Sequence, residues 1–181
     1  MKDAENIYLI GLMGVGKTTI GKQLAKALHW PFYDSDKVIE ETTGANITTI
    51  FSYEGEAGFR EREKIVIHEL TQKRGIILAT GGGAVLAPEN RQALKENGFV
   101  VYLHCSLDKI LHRTRHDTQR PLLQTANPRQ RLQTLLAERG PLYQDCADFK
   151  IDSGASTGRS IVKTILQQYK KAQTTHENLA S

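Results

Sequence analysis

The sequence predicts a single α/β domain built on a mostly parallel β-sheet with helices on both faces. Short apolar runs alternate along the chain with longer amphipathic segments, which is the pattern of strand–helix–strand units. The 181 residues fit one domain, and the 39% hydrophobic and 24% charged residues are typical of a globular protein. This composition excludes a disordered or collagen-like chain.

Five short apolar runs are the predicted strands. They are short and apolar enough for strands that are buried on both faces of a sheet. The first is followed by a segment in which Ile20, Leu24 and Leu28 recur on one helical face, so the chain opens with a strand–helix–strand unit. The strands are predicted at residues 7–10, 31–33, 75–79, 99–103 and 149–151.

Seven longer segments are predicted to be helical. Pro88 stands at the first position of one of them and Gly98 follows its end, where a missing N–H and a flexible backbone cost least. Residues 172–181 lack apolar periodicity, and we expect them to fray. The helices are predicted over residues 17–28, 36–42, 56–73, 88–97, 106–115, 129–138 and 158–171.

The sequence indicates a cytoplasmic protein without a membrane partner. The apolar run at residues 7–15 is interrupted by Gly11 and Gly14, and it is far shorter than the roughly 18 residues of a membrane-spanning helix. It does not resemble a signal peptide. Cys105 and Cys146 share no close spacing, so we expect reduced thiols rather than a disulfide or a metal-binding pair.

A phosphate-binding loop is the most specific motif in the chain. Residues 11–18 read Gly-Leu-Met-Gly-Val-Gly-Lys-Thr, which matches G-x-x-x-x-G-K-[ST] between the first strand and the first helix. Backbone N–H groups and the helix N-terminus would cradle phosphates, Lys17 would reach the terminal phosphates, and the Thr18 hydroxyl suits Mg²⁺. The loop alone does not separate a kinase from an ATPase, a GTPase or a nucleotide-binding regulator.

Two carboxylates follow the second strand, at the sheet edge where ligands of such folds bind. One of Asp34 and Asp36 could hold the hydration shell of a metal while the other accepts a hydrogen bond from a substrate hydroxyl. Equally, Asp34 or Ser35 could serve only as the N-cap of the next helix. The third strand lacks a terminal Asp, which makes Asp34 the better metal candidate.

Glycines and arginines complete the candidate site. The run Gly81–Gly83 ends the third strand and would let a ligand approach backbone N–H groups closely, unless it is only a β-bulge or a flexible loop. Arg60 and Arg139 are as compatible with solvated ion pairs as with ligand contacts. The segment 112–120, with Arg113 and Arg120, is either a solvated loop or a mobile cover that places guanidinium groups on a transferring phosphate.

In chain order these motifs resemble those of the shikimate kinases, over residues 6–168. The six motifs are the phosphate loop, Asp34-Ser-Asp36, Gly-Phe-Arg60, Gly81–Gly83, Arg120-Pro-Leu-Leu and Arg139-Gly-Pro-Leu-Tyr143. The resemblance implies a three-layer P-loop kinase fold similar to the nucleoside monophosphate kinases, with a five-stranded parallel sheet in the order 2-3-1-4-5. It also implies a substrate-binding region over about residues 35–63 and a lid over about 113–127 of one domain.

The resemblance further implies ATP-dependent phosphorylation of shikimate to shikimate 3-phosphate, with Mg²⁺ bound by Thr18 and reached through water by Asp34. The implied catalytic residues are Lys17, Asp36 and Arg120, of which Asp36 would accept the attacking hydroxyl. ATP would be held by Gly14, Val15, Gly16, Lys17, Thr18 and Thr19, by Arg113 against adenine and by Arg120 on the γ-phosphoryl group. Shikimate would be held by Asp36, Arg60, Gly81, Gly82, Gly83 and Arg139.

Two other functions are compatible with part of these motifs. A related small-metabolite kinase, such as one for gluconate, would share the phosphate loop and the lid, and a nucleotide-binding regulatory module would share the loop. A net charge of +4 is compatible with a nucleic-acid partner. However, residues 104–139 hold seven Lys or Arg and three acidic residues, so this segment accounts for all of the net positive charge. We therefore interpret the charge as local attraction for ATP and an anionic acceptor, and expect a monomer without a nucleic-acid partner.

Overall fold

A five-stranded parallel sheet forms the centre of the computed structural model, which describes residues 6–117 and 123–179, the side chains of 176–179 excepted. The strand order is β2-β3-β1-β4-β5, which confirms the order implied by the resemblance. The strands are β1 (Ile7–Ile10), β2 (Phe32–Asp34), β3 (Ile77–Ala79), β4 (Phe99–His104) and β5 (Phe149–Asp152).

Helices cover both faces of this sheet, so the predicted α/β class is confirmed. On one side α1 lies against β3 and α7, and on the other α4 and α6 contact β4. A short 3₁₀ turn, Ala84–Leu86, follows β3. The helices are α1 (Lys17–Leu28), α2 (Ser35–Thr43), α3 (Ile47–Thr71), α4 (Pro88–Asn97), α5 (Leu107–Thr114), α6 (Pro128–Cys146) and α7 (Gly158–Leu179).

The core lies on both faces of the central strands. All residues of β1 and β3 are buried, as expected for strands covered on both sides by helices. Leu9 pairs in register with Ala79, and Ala79 with Asp34, so β1, β3 and β2 end at the same edge of the sheet. The phosphate loop, the 34–36 segment and the glycine run therefore emerge side by side.

Helix α3 begins at Ile47, whereas the sequence predicted a start at residue 56. Gly55 has a non-helical backbone, with φ 70° and ψ −179°, and it separates two helical stretches that meet at a kink. The first stretch has its own cap, because the Asn46 side chain accepts a hydrogen bond from the Thr49 N–H at 2.8 Å. The kink breaks the apolar periodicity, which is why the pattern missed this stretch.

Two helices continue further than predicted. Helix α6 passes through Pro141 and ends at Cys146 rather than at residue 138, because packing of Tyr143 and Cys146 in the core holds its last turns. Helix α7 reaches Leu179 rather than ending at residue 171. Residues 172–181 lack the apolar periodicity on which the predicted end relied.

Within the described residues, none of the helices is long and apolar enough to cross a membrane. Both cysteines are free thiols, as predicted: Cys105 is half-buried, and Cys146 is buried. Burial raises the pKa of the Cys146 thiol to about 11, so it is a protonated core residue.

Candidate active site

The phosphate loop takes its shape from three glycines. Gly11, Gly14 and Gly16 have φ angles of 142°, 77° and 102°, which L side chains rarely adopt. Space is also limited, because a Cβ at Gly14 would lie 2.7 Å from the Thr114 methyl carbon. Helix α1 starts at Lys17 without a side-chain N-cap and without an acidic residue in its first turn. Its N-terminal N–H groups and dipole are thus suited to binding an anion.

Lys17 lies within this loop. Its side chain is 9% exposed, and its ammonium group donates hydrogen bonds to the carbonyls of Gly11 at 2.6 Å and Leu12 at 2.7 Å. The ammonium group of Lys17 is therefore held against the backbone of the loop, next to the N-terminus of α1.

Asp34 is the N-cap of α2 and also contacts the phosphate loop. Its Oδ1 accepts hydrogen bonds from the N–H groups of Asp36 at 3.1 Å and Lys37 at 3.4 Å, so it is the N-cap of α2. Its Oδ2 accepts a hydrogen bond from the Thr18 hydroxyl at 2.9 Å. The two predicted metal residues are thereby brought together at the phosphate loop.

The glycine run at residues 81–83 is a close approach rather than a loose turn. The Gly81 N–H donates to the buried Ser35 hydroxyl at 2.9 Å, which ties the run to the start of α2. A Cβ at Gly81 would lie 2.7 Å from Asp36 Oδ1, and a Cβ at Gly83 would lie within 2.5 Å of the Arg60 guanidinium. Only glycine allows these side chains to come so near the backbone.

A cavity of about 510 Å³ lies at this edge of the sheet. Helix α3 contributes Arg60 from one side and α6 contributes Arg139 from another. Arg139 is only 2% exposed, so its interpretation as a solvated ion-pair residue is wrong. The site residues that line the cavity are Thr18, Asp34, Asp36, Arg60, Gly81, Gly82, Gly83 and Arg139, joined by Met13, Phe51 and Phe59.

Glu63 is a member of this site that the sequence reasoning missed. Its side chain is 1% exposed and its Oε2 accepts a hydrogen bond from Arg60 at 2.8 Å. Burial raises the pKa of Glu63 above the usual range, although Arg60 and Arg139 lower it. Its position three residues after Arg60, on the same helical face, is the signal that could have found it.

The charge of Arg60 is secured by two carboxylates. Burial disfavours the guanidinium, but Glu63 at 2.8 Å and Glu56 at 3.1 Å outweigh it and raise the pKa of Arg60. The guanidinium also lies 5.2 Å from the centre of the Phe59 ring. Arg60 is therefore a permanent cation with a fixed orientation.

Two side chains from other elements contact the backbone of the phosphate loop. Arg113 donates to the Gly14 carbonyl at 3.1 Å, so its guanidinium lies on the phosphate loop. The Ser153 hydroxyl, which follows β5, donates to the Val15 carbonyl at 2.5 Å and places Ser153 beside the same loop. Arg120 and the middle of the predicted lid fall in residues 118–122, outside the described residues.

Comparison with known proteins decides the family. A family model described as shikimate kinase matches residues 13–170. The shikimate kinase of Methylococcus capsulatus is 55% identical over 174 residues, which is 96% of this chain and 97% of that protein. This chain belongs to the shikimate kinase family. It is accordingly an enzyme, a kinase of the transferase class with a nucleotide-binding P-loop.

Solved structures agree with this family. A shikimate kinase from Acinetobacter baumannii in complex with shikimate superposes with a TM-score of 0.89 and 48% identity, covering 92% of this chain and 93% of that one. A gluconokinase from Sinorhizobium meliloti covers 100% of both chains, with a TM-score of 0.56 and 18% identity, and shares the fold alone.

Proposed function

We propose that the protein transfers the γ-phosphoryl group of ATP to the 3-hydroxyl of shikimate, which yields shikimate 3-phosphate and ADP. The observation that carries this proposal is the cavity next to the phosphate loop, where Arg60, Arg139 and Asp36 all approach one glycine run. Two guanidinium groups suit a carboxylate, and a carboxylate suits a hydroxyl. Shikimate carries both groups on one small ring.

The acceptor would be oriented by its two ends. Arg60 and Arg139 would hold its carboxylate, and Asp36 would accept a hydrogen bond from the attacking hydroxyl. The run Gly81–Gly83 would lie against the acceptor, with the Gly81 N–H donating to Ser35. Asp36 stands in the first turn of α2, two residues after the metal candidate Asp34, so the hydroxyl would lie near the terminal phosphate. Phosphoryl transfer depends on such positioning and on cationic charge more than on covalent chemistry.

The P-loop residues would hold the nucleotide. Gly14, Val15, Gly16, Lys17, Thr18 and Thr19 would surround the phosphates, and Lys17 would exchange its bonds to the Gly11 and Leu12 carbonyls for bonds to the β- and γ-phosphates. Arg113 would lie against adenine. Arg120 would neutralise charge on the transferring group.

Mg²⁺ fits the residues at the phosphate loop. The Thr18 hydroxyl and the Asp34 carboxylate are the hard oxygen donors that this ion prefers, and they lie 2.9 Å apart. The described residues include no cluster of three or more His, Cys, Asp or Glu suited to a metal. This suits Mg²⁺, which is usually held by one or two protein groups, water and phosphate oxygens. Bound Mg²⁺ would neutralise charge on the phosphates.

The working form is proposed to be a cytoplasmic monomer. The described acceptor and phosphate residues come from a single chain, and none needs a partner to complete the cavity. The free thiols of Cys105 and Cys146 are the state expected in a reducing compartment.

An acceptor assay tests the proposal. Purified protein with ATP and Mg²⁺ should release ADP when shikimate is added, and release should stay at the background level with gluconate or without an acceptor. Equal turnover with gluconate, or no release above the acceptor-free control, would contradict the proposed substrate.

A further inference from the structure

Tyr143 is a buried residue of α6 that touches the glycine run. Its side chain is 0% exposed, and its ring stacks on Tyr102 with centroids 5.1 Å apart. Its hydroxyl donates a hydrogen bond to the carbonyl of Gly82. It follows Arg139 by four residues, so the two side chains lie on the same face of α6 and both reach the same loop.

The hydroxyl remains a donor at physiological pH. Burial raises the pKa of Tyr143 far above its usual value, and the nearby Arg139 guanidinium lowers it by less. A protonated phenol in a buried site requires an acceptor, and the Gly82 carbonyl supplies it.

This hydrogen bond fixes the direction of a peptide unit. The Gly82 carbonyl and the Gly83 N–H belong to one trans peptide and point in opposite directions, so holding the carbonyl aims the N–H. A hydrogen bond to the carbonyl also polarises the unit and makes that N–H a better donor.

The same peptide unit lies between the two arginines. A Cβ at Gly82 would stand 3.6 Å from the Arg139 guanidinium, and one at Gly83 would be within 2.5 Å of the Arg60 guanidinium. The ends of the run are pinned separately, by the hydrogen bonds of Gly81 to Ser35 at 2.9 Å and of the Leu86 N–H to the Gly83 carbonyl at 3.1 Å. In the described part of the chain, Tyr143 is the side chain that holds the Gly82 carbonyl.

We propose that Tyr143 is a positioning residue that holds the Gly82–Gly83 peptide with its N–H toward the carboxylate of the acceptor, between Arg60 and Arg139. This inference rests on the proposed function, because it assigns Tyr143 to the carboxylate end of the shikimate site. Tyr143 itself does not need to touch the acceptor.

Tyr8 offers a matched control. It is also 0% exposed and its hydroxyl also donates to a backbone carbonyl, that of Asn97 at 3.2 Å. It stands near the start of β1, at the opposite edge of the sheet from the site. Removing the Tyr143 hydroxyl loses its hydrogen bond to Gly82, and removing the Tyr8 hydroxyl loses its bonds with Asn97 and Asn6, so Tyr8→Phe should destabilise the fold at least as much. Only removal of the Tyr143 hydroxyl should affect the acceptor.

The test compares Tyr143→Phe with Tyr8→Phe in steady-state kinetics and in NMR relaxation. Tyr143→Phe should raise KM for shikimate by about 3–10-fold, the equivalent of one hydrogen bond, and leave kcat and KM for ATP within about twofold. It should also lower the backbone order parameters of Gly82 and Gly83. Tyr8→Phe should leave all of these quantities unchanged.

Equal effects of the two variants on KM and on the order parameters would overturn the inference. If the wild-type protein does not phosphorylate shikimate, the proposed function fails, and the order parameters still decide whether Tyr143 holds the peptide. If Tyr143→Phe does not fold, an NMR measurement on the wild-type protein tests the hydrogen bond between Tyr143 and Gly82. It should show a slowly exchanging Tyr143 hydroxyl proton with nuclear Overhauser contacts to Gly82 and Gly83, and absence of that proton would contradict the assignment.

Discussion

Arg139 is a nearly buried cation at the end of the acceptor cavity. Its side chain is 2% exposed, and its Nε has no hydrogen-bond partner among the described residues. The Glu63 carboxylate interacts with the charge of Arg139, but its hydrogen bond is with Arg60. A guanidinium group buried in this way is costly unless an anion completes its hydrogen bonds. The carboxylate of the acceptor is the anion that the proposed function supplies.

Substitution of Arg139 should therefore weaken acceptor binding. Arg139→Ala should raise KM for shikimate by about 10–100-fold, as expected for loss of a charge-assisted hydrogen bond of roughly 1.5–3 kcal/mol. Arg139→Lys keeps the charge without the bidentate geometry, so its KM for shikimate should lie between those of the wild type and Arg139→Ala. Steady-state kinetics with varied shikimate measures both variants.

Lys17→Met provides the contrast for this experiment. It removes the cation of the phosphate loop and should lower kcat sharply while changing KM for shikimate little. The assignment fails if Arg139→Ala chiefly lowers kcat and Lys17→Met chiefly raises KM for shikimate.

The two cysteines should react at different rates. Cys146 is 1% exposed and its pKa is raised to about 11, so only about 0.1% of it is thiolate at pH 8. Titration of the folded protein with a disulfide reagent at pH 8 should modify Cys105 first. Both thiols should react at similar rates in urea. Equal rates in the folded protein would show that Cys146 is not held in the core.

Individual site residues differ in how far the sequence could predict them. The phosphate loop was readable because its spacing is fixed by backbone geometry. Asp34 was ambiguous because one carboxylate has two oxygens, which here cap α2 and bind Thr18. Tyr143 was not assigned a role because its contact to Gly82 joins elements that are distant in the chain. Glu63 lies three residues after Arg60 on one face of α3, so its spacing could have revealed it.

At the scale of elements, α3 forms one wall of the cavity through a kink at Gly55. Contacts across the kink hold the two stretches: Glu54 accepts hydrogen bonds from Arg62 at 2.6 and 2.7 Å, and the rings of Phe51 and Phe59 are 4.8 Å apart. The kink brings Phe51, from the first stretch, and Arg60, from the second, to the same cavity.

The kink predicts a stability difference between two glycines. Gly55 has φ 70° and ψ −179°, a region open to glycine alone, and Gly44 has φ 70° and ψ 12°, which other residues tolerate better. A Cβ at either position would meet no atom within 4 Å, so only backbone strain counts. Gly55→Ala should lose about 1–3 kcal/mol and Gly44→Ala about 1 kcal/mol.

Urea unfolding monitored by circular dichroism measures this difference. Gly55→Ala should have the lower midpoint of the two variants. A midpoint for Gly55→Ala at or above that of Gly44→Ala would show that the kink is not maintained by the backbone of Gly55.

The types of the elements were predictable, and several of their ends were not. Segments β1, β3 and β4 were correctly predicted to be strands, because strands buried on both faces are almost continuously apolar. The ends of α3 and α6 were misplaced because Gly55 and Pro141 normally interrupt helices, and here tertiary contacts carry the helix past them. Local sequence does not contain those contacts.

At the scale of the whole molecule, the parallel sheet gathers the site. Strands β1, β2 and β3 end at one edge, where the phosphate loop, the 34–36 segment and the glycine run meet. The net positive charge falls within residues 104–139, which include Arg113 at the phosphate loop and Arg139 at the cavity. Two cations of this segment thus lie at the positions proposed for two anionic substrates.

The strand order shows what sequence could contribute at this scale. Alternating strands and helices predicted a parallel sheet, but the order 2-3-1-4-5 followed only from the resemblance of six motifs in chain order. Periodicity cannot give an order, because it indicates that a segment is a strand and not which strands are its neighbours. The motifs contributed only through the family that they resemble, whose strand order they imply.

The central claim is that ATP phosphorylates a hydroxyl of shikimate whose carboxylate is held by Arg60 and Arg139. The most direct measurement is a proton–phosphorus NMR correlation spectrum of the product formed from ATP and shikimate by the wild-type protein. The account predicts one product, with phosphorus coupled to the ring proton at carbon 3. Phosphate on another oxygen, or no phosphorylated shikimate at all, would contradict it.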